Sequence, residues 1–354
     1  MRRNHSLDVL RAVAVLLVFC YHSSGVWFGW IGVDLFFVLS GFLVSGLLFR
    51  EYQSMQQVRP ARFLFRRGLK IYPQFYFFMA ATLLFACWRG NPPRFGQATA
   101  ELAFVQNYAG GIWGHTWSLA VEEHFYILLT LIIVMLARRG GADPFRSLPG
   151  WIAAACLVIL GLRVLTWKFH PPISLYTNVF PSHLRFDSLL AGVLAAYYQS
   201  FRNQDLAAWM RRAGEWAPRA SVLLLAPVLF FEREHPFMVT IGFSLVSWGF
   251  LLLLLSVLHP LKQSEGCGRI SRAMGRLARV SYGFYLWHGA VLAYAPVSRL
   301  SIPVAMVLTF GASLALAFVS TRLIEIPVLR WRDRFGSDEA SASRRELAAH
   351  LVTP

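Results

Sequence analysis

Charge is scarce in this sequence. Only 15% of its 354 residues are Asp, Glu, Lys or Arg, against 56% hydrophobic. A soluble domain of this length needs far more polar surface, so the composition excludes a soluble globule. Cysteine is scarce too: Cys20, Cys87 and Cys156 lie inside apolar runs, and Cys267 lies in a basic stretch. With no CxxC pair, neither a disulfide framework nor a cysteine metal site is expected, and the thiols read as small buried apolar residues. Internal repeats, low-complexity tracts and a soluble domain are also missing. A cleavable leader is not expected. Arg2 and Arg3 precede an apolar run, but Asp8 and Arg11 interrupt it and no small-residue cleavage site follows cleanly.

What is present is hydrophobic length. Apolar stretches near twenty residues recur from end to end, each about long enough to cross roughly 30 Å of hydrocarbon as a helix. They predict an all-α fold, a polytopic membrane bundle of about ten spans. The spans fall near 7–25, 31–50, 71–88, 116–137, 151–168, 183–200, 219–232, 237–258, 281–298 and 302–323. The net charge of +16 would ordinarily suggest nucleic acid, but the positions argue otherwise. Basic residues gather in alternate connections: Arg59, Arg62, Arg66, Arg67 and Lys70; then Arg138, Arg139 and Arg146; then Arg202, Arg211, Arg212 and Arg219. Lys262, Arg269, Arg272, Arg276 and Arg279 follow, and Arg330, Arg332 and Arg334 close the series. That alternation is the positive-inside rule, so no nucleic-acid partner is needed. It puts both termini in the cytoplasm, with residues 1–335 as one transmembrane domain and 336–354 as a short cytoplasmic tail. The opposite face receives a tight turn near Gly29, a loop at 89–115, and Pro-containing connections near 171–181 and 236.

Ionisable residues inside spans are costly and mark function by default. Arg11 and His22 lie near opposite ends of the first span. Eleven residues turn a helix by about 1100°, three turns and some 20°, so both face one way, about 16–17 Å apart. A long, thin ligand lying along that face reaches both. Asp34 opens the second span at the depth of His22. Glu122 and Glu123 follow His115-Thr116-Trp117-Ser118 at the outer end of the fourth, and His183, Arg185 and Asp187 open the sixth. Four segments therefore bring acids, bases and an arginine to one depth. Bland readings stand beside this one. Asp8 and Arg11 at i, i+3 also suit a simple ion pair. Adjacent Glu122 and Glu123 point about 100° apart, so one is expected to face the site and the other a structural partner. Arg163 and His288 suit interhelical hydrogen bonding. Glu325 suits pairing with a nearby arginine. Tyr282, Tyr285 and Trp287 suit packing or interface positions.

The ordered motifs resemble those of the membrane acyltransferase-3 family. Leu7-Asp8-Val9-Leu10-Arg11, continuing to His22, is similar to its opening: a basic residue, ten residues, then histidine. The run from Gly32 through Asp34 and Ser40-Gly41-Phe42 is similar to its second span, and Thr116-Trp117-Ser118 through Glu122-Glu123 to Phe125-Tyr126 to its fourth-span signature. Arg185-Phe186-Asp187 through Gly192, Ser281-Tyr282-Gly283 through His288, and Glu325-Ile326-Pro327 complete the set in order. Val9 and Ala12 depart from common glycines, His124 from a glutamine. Lys70 stands for a second arginine, keeping charge but losing bidentate phosphate geometry.

The resemblance implies transfer of an acyl group, commonly acetyl, from acyl-coenzyme A to a hydroxyl of a carbohydrate or glycosylated small-molecule acceptor, in the inner (plasma) membrane. On that reading Arg11, Arg66, Arg67 and Lys70 hold the coenzyme phosphates by charge-assisted hydrogen bonds. His22 is the general base or acyl carrier, with Asp34, Glu122 or Glu123 orienting its imidazole. Arg185, Asp187 and His288 are expected to contact the acceptor. No metal is required, membrane lipids are the other partners, and oligomeric state is left open. Longer family members carry an extracytoplasmic esterase-like domain. None is expected in this chain, which is then expected to act alone or with a partner. A transporter or flippase for glycans or lipids is the alternative from a different class, disfavoured by the lack of an inverted repeat and of paired broken helices.

Overall fold

The computed structural model of the chain describes residues 5–214, 216–258, 268–296 and 300–334. The tail 336–354, Arg2, Arg3, Lys262 and Cys267 lie outside the described residues. The described chain is all-α. Its helices are α1 (His5–Ser24), α2 (Ile31–Met55), α3 (Pro60–Trp88), α4 (Phe95–Leu102), α5 (Gln106–Ala109), α6 (Trp117–Ala137) and α7 (Leu148–Phe169). They continue with α8 (Phe186–Phe201), α9 (Asn203–Ala213), α10 (Trp216–Leu225), α11 (Phe243–Leu258), α12 (Arg269–Tyr294) and α13 (Ile302–Ser320). A π-helical turn, Thr321–Glu325, carries the last helix onward to Arg334.

Seven helices among the described residues are long and apolar enough to cross a membrane, rather than ten. The other three expected spans coincide with helices that fall short for visible reasons. Helix α8 has 16 residues, and the apolar segment Trp216–Leu229 is also short. Helix α12 carries Arg269, Arg272, Arg276 and Arg279 in its first half.

Two helices start well before their apolar runs. Helix α3 begins at Pro60, eleven residues ahead of its expected start at 71, and α12 at Arg269, twelve ahead of 281. Proline suits the first helical position, and arginine and lysine are good helix formers. The basic stretches that read as loops are therefore helical turns, α3 spanning 29 residues, or about 43 Å. Its interior Pro73 gives up one backbone donor without ending it.

Helix α2 is the axis of the bundle, and most of it is buried. It meets α8 through glycine. A Cβ on Gly41 would stand 1.9 Å from the Leu189 carbonyl oxygen, and one on Gly192 2.1 Å from that of Val38. Such backbone contact is what small residues permit between membrane helices. It brings the start of α2, with Asp34, against the start of α8, with Arg185 and Asp187. By contrast, α13 turns Val307, Leu308 and Phe318 outward. The thiols depart from expectation: Cys87 is exposed, and Cys20 and Cys156 are only half-buried. A cysteine on a lipid-facing helix surface needs no protein cover, because its surroundings are already apolar.

Candidate active site

Arg11 and His22 end up serving two different neighbourhoods of the bundle. At the basic end, a cavity of about 170 Å³ is lined by Arg11, Arg67, Lys70, Glu122 and Tyr282, and reaches up to Ser118 and Tyr285. Tyr126 organises its wall. Arg67 donates to the Tyr126 hydroxyl at 2.5 Å, Tyr126 donates to Glu122 Oε2 at 2.6 Å, and Ser40 lies 2.5 Å from the same hydroxyl. The Arg67 guanidinium also lies 4.4 Å from the Tyr126 ring centroid, a cation–π contact. Glu122 Oε2 and Arg67 are 3.8 Å apart. Arg67 Nε is buried with no hydrogen-bond partner among the described residues. Arg11 lies close enough to feel the charges of Asp8, Arg67 and Glu122. Glu325, expected to pair with a nearby arginine, instead forms a direct ion pair with Lys70.

Adjacent residues on one helix divide between partners here. Glu122 faces Tyr126 and Arg67, whereas Glu123 accepts from the Tyr72 hydroxyl at 2.8 Å. Arg66 turns away from the cavity toward Asp333, 3.4 Å distant at the surface, while Arg67 turns in.

At the other end of α1, His22 is exposed and belongs to a histidine cluster. Its Nδ1 lies 2.9 Å from the Val18 carbonyl oxygen, which can only accept, so Nδ1 carries the proton. His288 Nδ1 stands 2.7 Å from the Tyr285 carbonyl and is protonated for the same reason, leaving its Nε2 to accept from His22 Nδ1 at 3.4 Å. The free lone pair of His22 is then on Nε2. His115 closes the cluster, its ring 4.8 Å from that of His288 and its Nε2 donating to the Leu286 carbonyl at 3.1 Å. Gly289 makes room for it: a Cβ there would stand 2.3 Å from the His115 ring. Tyr285 joins the two neighbourhoods. It lines the cavity, donates to the His115 carbonyl at 2.5 Å and touches the Ser118 hydroxyl at 2.6 Å.

Asp34, expected to orient His22, pairs instead with Arg185, and Arg185 and Asp187 are both held in buried ion pairs. Asp34 accepts from Arg185 at 2.5 Å and from Ser188 at 3.0 Å, fully buried. Asp187 pairs with Arg163 at 2.6 Å. The Arg185 guanidinium sits 3.8 Å from the Phe243 ring centroid. These pairs tie α2, α7, α8 and α11 together, and the Asp34 carboxylate is engaged by Arg185 and Ser188 rather than by the imidazole.

Two residues escape a sequence reading. Arg233, in a short connection, lies between the rings of Tyr21 (5.4 Å) and Phe180 (5.9 Å), and its charge reaches His22. Its only signal is its position, a cation between Glu232 and Glu234 on the face otherwise poor in bases. Glu101 is the other. It is fully buried in the 89–115 connection, where it accepts from the Thr116 hydroxyl, from Ile112 N–H at 2.9 Å and from Trp113 N–H at 3.4 Å. Burial pushes its carboxyl up from the usual 4.5 to about 6, against the pull of those donors. A raised carboxyl favours the protonated fold. Its contribution is full below pH 4.5 and is lost as pH rises through about 6, about 2 kcal/mol in all. Glu101→Gln is expected to flatten the thermal midpoint against pH between 4.5 and 6. An unchanged slope in that variant would show that another group sets it.

Residues 4–322 match the family described as an acyltransferase domain. A Staphylococcus aureus protein provisionally named an O-acetyltransferase is 28% identical over 375 residues, covering 95% of this chain and 60% of the relative. The peptidoglycan O-acetyltransferase OatA of Listeria monocytogenes is 25% identical over 349 residues, 91% of this chain and 55% of the relative. The O-acetyltransferase OatA of Staphylococcus aureus is 26% identical over 348 residues, 91% and 56%. This chain thus spans 55% to 60% of the length of these relatives. No solved structure matches it significantly. With the matching profile running nearly end to end over a bundle of apolar helices, the chain is a multi-pass membrane protein that belongs to the membrane acyltransferase-3 family.

Proposed function

We propose that this protein transfers an acetyl group from acetyl-coenzyme A to a carbohydrate hydroxyl, with a glycan of the peptidoglycan type, named for the Listeria monocytogenes relative, as the acceptor class. The observation that carries the reading is the pairing of a basic cavity at one end of α1 with an exposed histidine, its Nε2 lone pair free, at the other. The ten-span bundle with both termini cytoplasmic is part of the proposal, because coenzyme A is made in the cytoplasm and the arginines gather at that end.

On this reading Arg11 and Arg67 hold the phosphates of the donor, with Lys70 available when Glu325 releases it. Glu122 and Tyr126 fix the Arg67 guanidinium, and Tyr285 stands where the pantetheine arm passes toward the histidines. His22 Nε2 takes the proton of the acceptor hydroxyl as its oxygen attacks the thioester carbon. The new C–O bond forms, the C–S bond breaks, and the departing thiolate regains the proton from the imidazolium. Val18 and His288, rather than a carboxylate, hold the ring. In a second scheme His22 carries the acetyl group itself before passing it on.

The test is release of free thiol from acetyl-coenzyme A by the purified full chain, stimulated by a glycan acceptor. A transporter releases none, and that result overturns the proposal. In the same assay Arg11→Ala is expected to raise the donor concentration needed for half-maximal rate about tenfold, the worth of one charge-assisted contact. Unchanged donor dependence removes Arg11 from the donor site.

A further inference from the structure

A second hollow lies outside the donor cavity, between α1, α12 and the segment Ile302–Arg334. It is a groove of about 1250 Å³. Its apolar length is made by Leu16, Leu277, Phe310, Leu314 and Phe318. Gly311 and Ala315 keep it open: a Cβ on Gly311 would meet nothing within 4 Å. At its basic end stand Arg276, Arg279, Arg322 and Arg330, all exposed. None makes an ion pair with a carboxylate among the described residues, and the Arg322 guanidinium lies 5.9 Å from the Phe318 ring centroid.

The two halves of this groove suit one kind of molecule. Helix α13 is the least covered of the membrane-length helices, so the apolar half opens to lipid rather than to water. Two arginines come from the first turns of α12 and two from the segment after α13, and the antiparallel course of these helices brings them to one depth. Cations drawn there by the positive-inside rule alone need not converge on one hollow. Basic pockets between membrane helices at the cytoplasmic side recognise anionic headgroups, and guanidinium groups bind phosphate with matched geometry. We propose that this groove is a binding site for an anionic phospholipid, its phosphate held by Arg276, Arg322 and Arg330 and an acyl chain lying over Gly311 and Ala315. Arg279 borders both this groove and the donor cavity, so the test leaves it unchanged.

Native mass spectrometry of the detergent-purified full chain, given equal phosphatidylglycerol and phosphatidylcholine, reads retained lipid directly. The expected result is at least tenfold preference for phosphatidylglycerol. The triple variant Arg276→Gln, Arg322→Gln, Arg330→Gln is expected to lose that preference. Gly311→Phe fills the apolar half without touching an arginine, and should reduce retention of phosphatidylglycerol about tenfold while the protein keeps its thermal midpoint. Equal retention of the two lipids overturns the proposal, as does full retention by Gly311→Phe. Displacement by glycerol phosphate at matched concentration marks a simple anion site and also overturns it. Displacement by acetyl-coenzyme A reassigns the groove to the donor and overturns it too. Because lipid retention is read without turnover, the result is independent of the acyl-transfer reading.

Discussion

Replacing His22 with alanine is expected to cut acyl transfer at least about a hundredfold, the ordinary contribution of a positioned general base, while leaving the bundle folded. The side chain is exposed. Its hydrogen bonds go to the Val18 carbonyl of its own helix, 2.9 Å away, and loosely to His288 at 3.4 Å. Losing it opens no core cavity and strands no buried charge, so the thermal midpoint should move by no more than a few degrees. Activity per folded molecule is the quantity to compare, and near-normal activity in the variant removes His22 from the chemistry. The wild-type protein then separates the two schemes for this residue. With donor alone, an acetyl-imidazole intermediate releases thiol in a burst equal to the enzyme present, whereas direct attack by the acceptor gives no burst.

How much of this could be read from sequence follows from what helix geometry determines locally. One helix carries Arg11 and His22, so their shared face needs only the turn per residue. The same rule separates Glu122 from Glu123, whereas Arg66 and Arg67 were both expected to hold the donor and part only because α3 starts at Pro60. The meeting of Asp34 with Arg185 agrees with their reading at the starts of two spans expected at one level. Azimuth between helices was not legible. Whether Asp34 turns to α1 or to α8 depends on how α2 is rotated in the bundle. The Gly41 and Gly192 contacts, which set that rotation, are tertiary. The starts of α3 and α12 were hidden for another reason: arginine-rich turns fail a test for apolarity yet are good helix. Glu101 and Arg233 gave too little signal because each acts from a connection whose path only the folded chain reveals.

Replacing Asp34 with alanine should damage the fold rather than the reaction step. Asp34 and Arg185 are both essentially fully buried, 2.5 Å apart, with Ser188 also donating to the carboxylate. Removing the acid leaves the buried Arg185 guanidinium without its hydrogen-bonded carboxylate, a change that costs about 3–5 kcal/mol in buried pairs. Its ring contact with Phe243 at 3.8 Å offsets only part of that. The loss spreads, because Ser188 also touches Ser247 on α11, and Asp187, next in sequence, holds Arg163 of α7. Four helices thus share one polar junction. Asp34→Ala is expected to lower the thermal midpoint sharply and the yield of folded protein with it, while activity per folded molecule falls far less than in His22→Ala. The compensating double variant Asp34→Leu, Arg185→Met removes both charges together and should recover much of the stability, as apolar replacement of buried pairs does elsewhere. If Asp34→Ala instead stays as stable as the wild type but loses activity, the acid acts on the reaction, and the junction is part of the active site rather than its frame.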